Sequence, residues 1–406
     1  MKNYLLFYAL IFICAGSSAQ VIVNSYVSSH VSSSGIFGSS KEINEIIIPP
    51  VDTSELKNDF LKGIFKSAKR KSVNISPILE ASKEINGTFF IYRQKITAQN
   101  ATSIALTFDK LNLSENAKLY LYNPEGTVIT GPITAKESIG VNNKNKQWSS
   151  NSFMGNSVIL ELKIPKEEVS QNDLHILKIR FGLPETLKEI ISDSALIGNF
   201  NRSSPCNINV ICPQGVDWQT ERKAVCLIET PNSRGSGALI NNTCNTLKPY
   251  ILTAWHLTNG ENLNDWTFLF GWWSSTCFPN TNTSQSILFN GATLRATWEV
   301  TDFSLIELNQ VPSTNLDLSF LGWDRSSNIP ASTTGIHHPK GDQMKISFDT
   351  DPPSIGNIRS YSNTAWRVLW KSGTSEPGSS GSPLFRSKSF SYWSTFFRYT
   401  TNLPTL

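Results

Sequence analysis

The chain reads as all-β, a β-sandwich of about a hundred residues followed by a β-barrel unit. Three observations carry that reading. Between residues 87 and 182 apolar residues recur with period two, the side-chain repeat of a half-buried strand. Beyond residue 205, short apolar runs alternate with turns, Gly and Trp are frequent, and helical periodicity is almost absent. Five of the six cysteines also lie beyond residue 205, which divides the chain in two.

The elements follow in order. Residues 1–19 have the form of a signal peptide: Lys2, an apolar run over 4–15, and small residues up to a cleavage site after Ala19. The run is short for a membrane span, which needs about 20 apolar residues. Ile13 before Cys14 is too bulky for lipoprotein processing, so export and a secreted product free of the membrane are expected. Residues 20–86, read as an N-terminal pro segment, hold a helical-looking piece near 55–65 and a basic run at 66–71 (KSAKRK), taken as a solvated loop. The sandwich, 87–193, is read as a pro or accessory domain. In it Ile104, Leu106 and Phe108 alternate with smaller or polar residues, and KLYLY at 118–122 ends at the turn NPEG. Val158, Leu160, Leu162 and Ile164 alternate with Ile159, Glu161 and Lys163, and a last strand holds Leu174, Ile176 and Ile179. Residues 194–205 (SALIGNFNRSSP) read as a linker, and 206–385 as the second domain.

Composition excludes several classes of function. Lys and Arg number 36 against 32 Asp and Glu, a net +4 too weak over 406 residues to indicate a nucleic-acid partner. No CxxC pair or HExxH motif occurs, so neither a metal nor another cofactor is expected.

Three segments of the second unit carry chemistry together. PYILTAWH at 249–256 is an apolar strand with His256 at its end; VTDFSLIEL at 300–308 is an alternating strand opened by Asp302; EPGSSGSP at 376–383 sets Ser380 on a glycine-bounded turn. A serine hydroxyl is a weak nucleophile until a neighbouring imidazole takes its proton. That imidazole works in one tautomer and orientation, which a buried carboxylate fixes through the other ring nitrogen. Glycines beside the serine let amide N–H groups converge on one point, so Gly378 and Ser380 are the expected donors to a tetrahedral oxyanion. Each piece alone has a bland reading as a structural His, a strand-capping Asp or a loop. Together, in the order His, Asp, Ser, they give the chain order of chymotrypsin-type proteases.

Residues 204–385 resemble the lysyl endopeptidase branch of the trypsin-like serine proteases. The resemblance rests on CNINVIC at 206–212, GALINN at 237–242, TAWH at 253–256, SSTC at 274–277 and TDFSLIELN at 301–309, continuing through GWDR at 322–325, IHHP at 336–339 and EPGSSGSP at 376–383. It implies a double β-barrel, with His256 as base, Asp302 as orienting carboxylate and Ser380 as nucleophile. It further implies Trp370 bordering the substrate site, protein or peptide substrates cleaved in a Lys-directed manner, and a monomer. His337 and His338 read as structural. The resemblance implies a Cys212–Cys277 disulfide, leaving Cys226 and Cys244 as a candidate second pair. Two departures stand out. Ser379 occupies the place of the Asp that anchors a new N-terminus in digestive trypsins, and Leu257 replaces the cysteine of TAxHC.

Only 23 residues follow Pro383, and LFRSKSFSYWSTFFRYTTNLPTL matches none of the family's specificity-pocket segments. The expectation is a barrel lacking its last strands, with 386–406 an aberrant tail after a change of reading frame. One back-translation of residues 392–398, shifted by a base, reads Ile-Gly-Gln-Leu-Phe-Ser-Gly, a strand of the family's kind. Cys206 would then lack a partner belonging to the lost segment. The competing expectation is a catalytically inactive homologue, or a binding or adhesion protein built on two β-domains.

Overall fold

The computed structural model describes residues 21–24, 42–54, 66–138, 147–183, 203–278, 285–326, 328–358, 360–387 and 390–392. The leader, the helical-looking piece at 55–65, the linker up to residue 202 and the tail beyond 392 lie outside them.

The period-two segments form two facing sheets. In one, Ser157–Pro165 lies between Phe89–Ala98 and Lys118–Tyr122, which pairs in turn with Ile129–Ile133. In the other, Ser103–Asn112 pairs with Asp173–Gly182. Their inner residues, among them Ile96, Leu106, Phe108, Leu160 and Ile179, are sealed from solvent in one cluster, as alternation requires. Alternation does not foresee the outer face. Glu161, expected in water, is fully buried, held by Arg93 Nε at 3.1 Å and Tyr122 Oη at 2.6 Å. A buried carboxylate is tolerated here because it is paired and hydrogen-bonded.

Residue 87 is not an edge of this unit. Ser82–Asn86 and Asn44–Ile48 both pair with Phe89–Ala98, and Ala68–Ile75 pairs with Asp173–Gly182. The reading of 66–71 as a solvated loop is corrected: most of that run is strand, Ala68 is buried, and Arg70 ion-pairs with Asp265 of the second unit at 2.5 Å. Its charges are spent on partners distant in sequence, which composition cannot show.

The second unit holds three further sets of strands, the smallest a pair made by Ser354–Ile358 and Tyr361–Arg367. The first runs in the order Ala292–Trp298, Phe303–Leu308, Tyr250–Ala254, Arg234–Ile240, Val225–Glu229, Thr267–Phe270, Ser286–Asn290. Trp266, Phe268, Phe270 and Phe289 pack inside it, all fully buried. The second sheet joins Ile208–Asn209, Lys345–Asp349, Thr333–His337, Leu384–Ser387, Phe390–Tyr392 and Gly322–Asp324. The described part of the span read as an aberrant tail thus continues this sheet, and Arg386 pairs with Asp324. Val21–Asn24 pairs with Ser286–Asn290 on one side and Ile129–Ile133 on the other, making the first set continuous with the sandwich. The architecture is all-β, with short helical turns between strands.

Candidate active site

Tyr250–Ala254 is a central strand, flanked by Arg234–Ile240 and Phe303–Leu308. Its residues Ile251 to Ala254 are buried, so its end is fixed on both sides. One helical turn, Trp255–Thr258, follows and carries His256. Across the pairing Ala254↔Phe303, the residue before Phe303 is Asp302, which adopts a left-handed conformation with φ 51°. Asp is among the non-glycine residues that tolerate that region. The Trp255 N–H donates to the Asp302 carbonyl at 2.8 Å. The Asp302 carboxylate is fully buried; Oδ1 accepts the His256 backbone N–H at 2.7 Å and Oδ2 lies 2.7 Å from His256 Nδ1. One carboxylate therefore grips both backbone and ring. It holds Nδ1 as the protonated nitrogen and leaves Nε2 as the basic one, the tautomer a general base needs.

The Ser380 turn is pressed against the same strands. Ser236 N–H donates to the Ser380 carbonyl at 2.7 Å, Ser236 Oγ donates to the Gly378 carbonyl at 2.9 Å, and Thr253 Oγ1 donates to the Ser236 carbonyl at 2.9 Å. Gly378 and Gly381 have φ +99° and +82°, and neither has room for a Cβ. At Gly378 it would lie 2.8 Å from the His338 carbonyl oxygen, and at Gly381 2.3 Å from that of Ser236. Gly378 and Ser379 are buried, whereas Ser380 is half-buried. Among the described residues, none accepts from the N–H of Gly378 or Ser380, and none bonds the Ser380 hydroxyl. His256 and Asp302 are thus brought into contact, while Ser380 is anchored through its backbone with its side chain uncommitted.

Behind the turn is a buried pair of imidazoles. His337 Nδ1 lies 2.7 Å from Ser379 Oγ and Nε2 lies 3.1 Å from Ser347 Oγ. Ser347 gives its own proton to the Thr374 carbonyl at 2.7 Å, so it accepts from Nε2–H, and Nδ1 accepts from the Ser379 hydroxyl. Ser379 Oγ in turn accepts from Glu376 N–H at 3.2 Å. A neutral hydroxyl–imidazole chain therefore holds the residue before Ser380. His338 Nδ1 donates to the Asp342 carbonyl at 3.0 Å. Burial drives the His337 pKa down to about 3, helped by the neighbouring charges of His338 and Lys345. It takes His338 down to about 4, the nearby Asp342 opposing part of the fall.

Trp370 lies between strand Tyr361–Arg367 and the Ser380 turn, its Nε1 donating to Ser375 Oγ at 2.9 Å. Cys212 and Cys277 form a disulfide. The Cys226–Cys244 pair is corrected: both thiols are free, Cys226 fully buried in the middle of a strand and Cys244 exposed on a loop. Burial pushes the Cys226 thiol far above its ordinary range, so it behaves as an apolar core residue. Leu257, in place of the TAxHC cysteine, packs against the backbone at Gly235. Cys206 is exposed and unpaired. Among the described residues, no group of three or more His, Cys, Asp or Glu is placed to hold a metal. Sequence reasoning missed Ser236; its glycine-flanked setting, RGSG at 234–237, was the available signal of a close backbone approach.

The family model of the lysyl endopeptidase C-terminal domain matches residues 200–393, slightly under half of the chain. Among solved structures the chain is similar to Deg5 (14% identity, 43% of this chain and 79% of that one, TM-score 0.31). It is also similar to a scabies mite inactivated protease paralogue (12% identity, 42% and 82%, TM-score 0.32). A third is the MamO protease domain from Magnetospirillum magneticum (15% identity, 43% and 84%, TM-score 0.29). At these scores they stand as likenesses only. The family match supports, at the coarse level, a serine-protease family for the second half of the chain.

Proposed function

We propose that this protein is a secreted serine endopeptidase acting through His256, Asp302 and Ser380. The observation that carries the reading is the double grip of the Asp302 carboxylate on His256, with the Ser380 turn fastened through Ser236 to the strand next to the one that leads into His256. In this reading Ser380 Oγ attacks the scissile carbonyl carbon as His256 Nε2 takes its proton, and the imidazolium formed is held by Asp302. The carbonyl oxygen, now an oxyanion, accepts from the unclaimed N–H groups of Gly378 and Ser380. Collapse expels the amine, which leaves with the proton from His256. Water, deprotonated by the same nitrogen, then attacks the acyl carbon; the bond to Ser380 Oγ breaks, the acid leaves, and the proton on His256 returns to that oxygen. Substrates are proteins or peptides; the family match alone suggests Lys, and residues 384–406 match none of the segments that would impose that preference. Trp370, half-buried beside the turn, is proposed to line the cleft.

A second reading, a non-catalytic binding homologue, is favoured by residues 384–406 matching none of the family's specificity-pocket segments. An organophosphonate probe separates the two. Stoichiometric labelling at Ser380, lost in Ser380→Ala, supports the protease; folded protein that takes no label supports the binding homologue.

A further inference from the structure

Three strands of the second unit are buried on both faces. In Val225–Glu229, Cys226 and Ile228 point into the unit's own core while Leu227 belongs to the core of the sandwich. Thr267–Phe270 divides likewise, with Phe268 and Phe270 inward and Leu269 outward, and Ser286–Asn290 sets Phe289 inward and Leu288 outward. Leu227, Leu269 and Leu288 are 4%, 6% and 1% exposed, all covered by the N-terminal unit. Runs such as CLI and FLF lack alternation for this reason: a strand covered on both sides has no wet face.

Charge follows the same boundary. Glu229 is buried, and Arg180 of the sandwich reaches it at 3.8 Å from one side while Arg234 reaches it at 3.3 Å from the other. The Ser152 N–H of the sandwich donates to it at 2.9 Å. Burial is the largest single influence on the Glu229 carboxyl and raises its pKa, but these cations and the Ser152 hydrogen bonds together outweigh it and hold the group below its ordinary range. Taking the sandwich away removes two of its three supports and bares three leucines. The same segment reaches the proposed nucleophile. Arg180 also donates to the carbonyls of Thr230 and Ser233, and Arg234 donates to Ser103 Oγ at 3.0 Å. Two residues on is Ser236, which holds the Gly378 and Ser380 carbonyls.

We propose that this face of the second unit is a lasting seat for the chain's own N-terminal unit, which stays bound there after scission of the connecting segment and braces the turn carrying Ser380. The seat stands on the interface alone; only the bracing rests on the protease reading. The test uses the full chain with a site-specific protease sequence inserted between Leu183 and Ser203, cut after purification and run on size exclusion in 1 M NaCl. Co-elution of the two fragments in equal amounts is expected. Separation into two folded bodies overturns the seat. In a second arm, Leu288→Asp should release the N-terminal fragment; should that variant fail to fold, Arg180→Met should weaken retention at least tenfold. Retention unchanged in every folded variant overturns the assignment of these residues. Phosphonate labelling, followed in parallel, should fall at least tenfold when the fragment is released. A rate equal in bound and released states overturns the bracing, whereas no labelling of the uncut chain sinks the protease reading and leaves the seat as measured by co-elution.

Discussion

His256 and Asp302 meet through two hydrogen bonds of 2.7 Å, and the carboxylate that makes them is closed to water. Asp302→Asn keeps the shape but offers Nδ1 an amide that can favour the wrong tautomer. For triads of this kind the loss is about 10⁴ in kcat. The expected outcome is a fall of that order in acylation rate with the melting temperature within a few degrees of the parent; an unchanged rate removes Asp302 from the mechanism. His337 and His338 make a different prediction. With folded-state values near 3 and 4, both stay neutral where the unfolded chain, near 6.5, takes up protons. The unfolded state therefore binds more protons as pH falls below 6.5, and stability declines from there toward pH 4. Melting measured between pH 7 and 5.5, above the range in which ordinary carboxylates take up most of their protons, should show the decline, and a flat profile there contradicts it. At this scale the residue types and their order were legible in the sequence. Ser236 was not, because its importance lies in which carbonyls it meets.

Gly378 and Gly381 show what the turn at 376–383 demands: positive φ, and van der Waals contact with the backbone of His338 and Ser236. Gly378→Ala puts a methyl 2.8 Å from a carbonyl oxygen, a contact that forces the turn to move. Moving one oxyanion donor typically costs about 10²–10³ in rate, and phosphonate labelling should slow by that factor. Labelling at the parent rate would show that the Gly378 N–H is not a donor. The Cys212–Cys277 bridge spans 65 residues of chain. Chain entropy for such a loop gives about 4 kcal/mol, so replacing both cysteines by Ser should lower the melting temperature by several degrees, measured by calorimetry. Strands with clean alternation, such as 157–165, were legible from sequence. The strand at 68–75 was not, since AKRKSVNI carries charges whose partners sit in the other sheet and the other unit.

Over the whole molecule, a single path of hydrogen-bonded strands runs from Ala292–Trp298 through Val21–Asn24 into the sandwich. Two units sharing a sheet, an apolar face and a buried carboxylate should unfold together. One calorimetric transition is expected for the full chain, with equal calorimetric and van't Hoff enthalpies; two resolved transitions would contradict the coupling. The sequence by itself determined the all-β class, the strands with a dry and a wet face, and the three residue types that serve nucleophilic chemistry. Each of these is a local property, set by side-chain period or by the chemistry of one group. The tertiary structure alone decided that Cys226 stays unpaired in a core, that Glu161 is buried against Arg93 and Tyr122 and Glu229 between two arginines, and that the N-terminal strand joins the two units. Those outcomes depend on neighbours far apart along the chain, and no periodicity records where such neighbours come to rest.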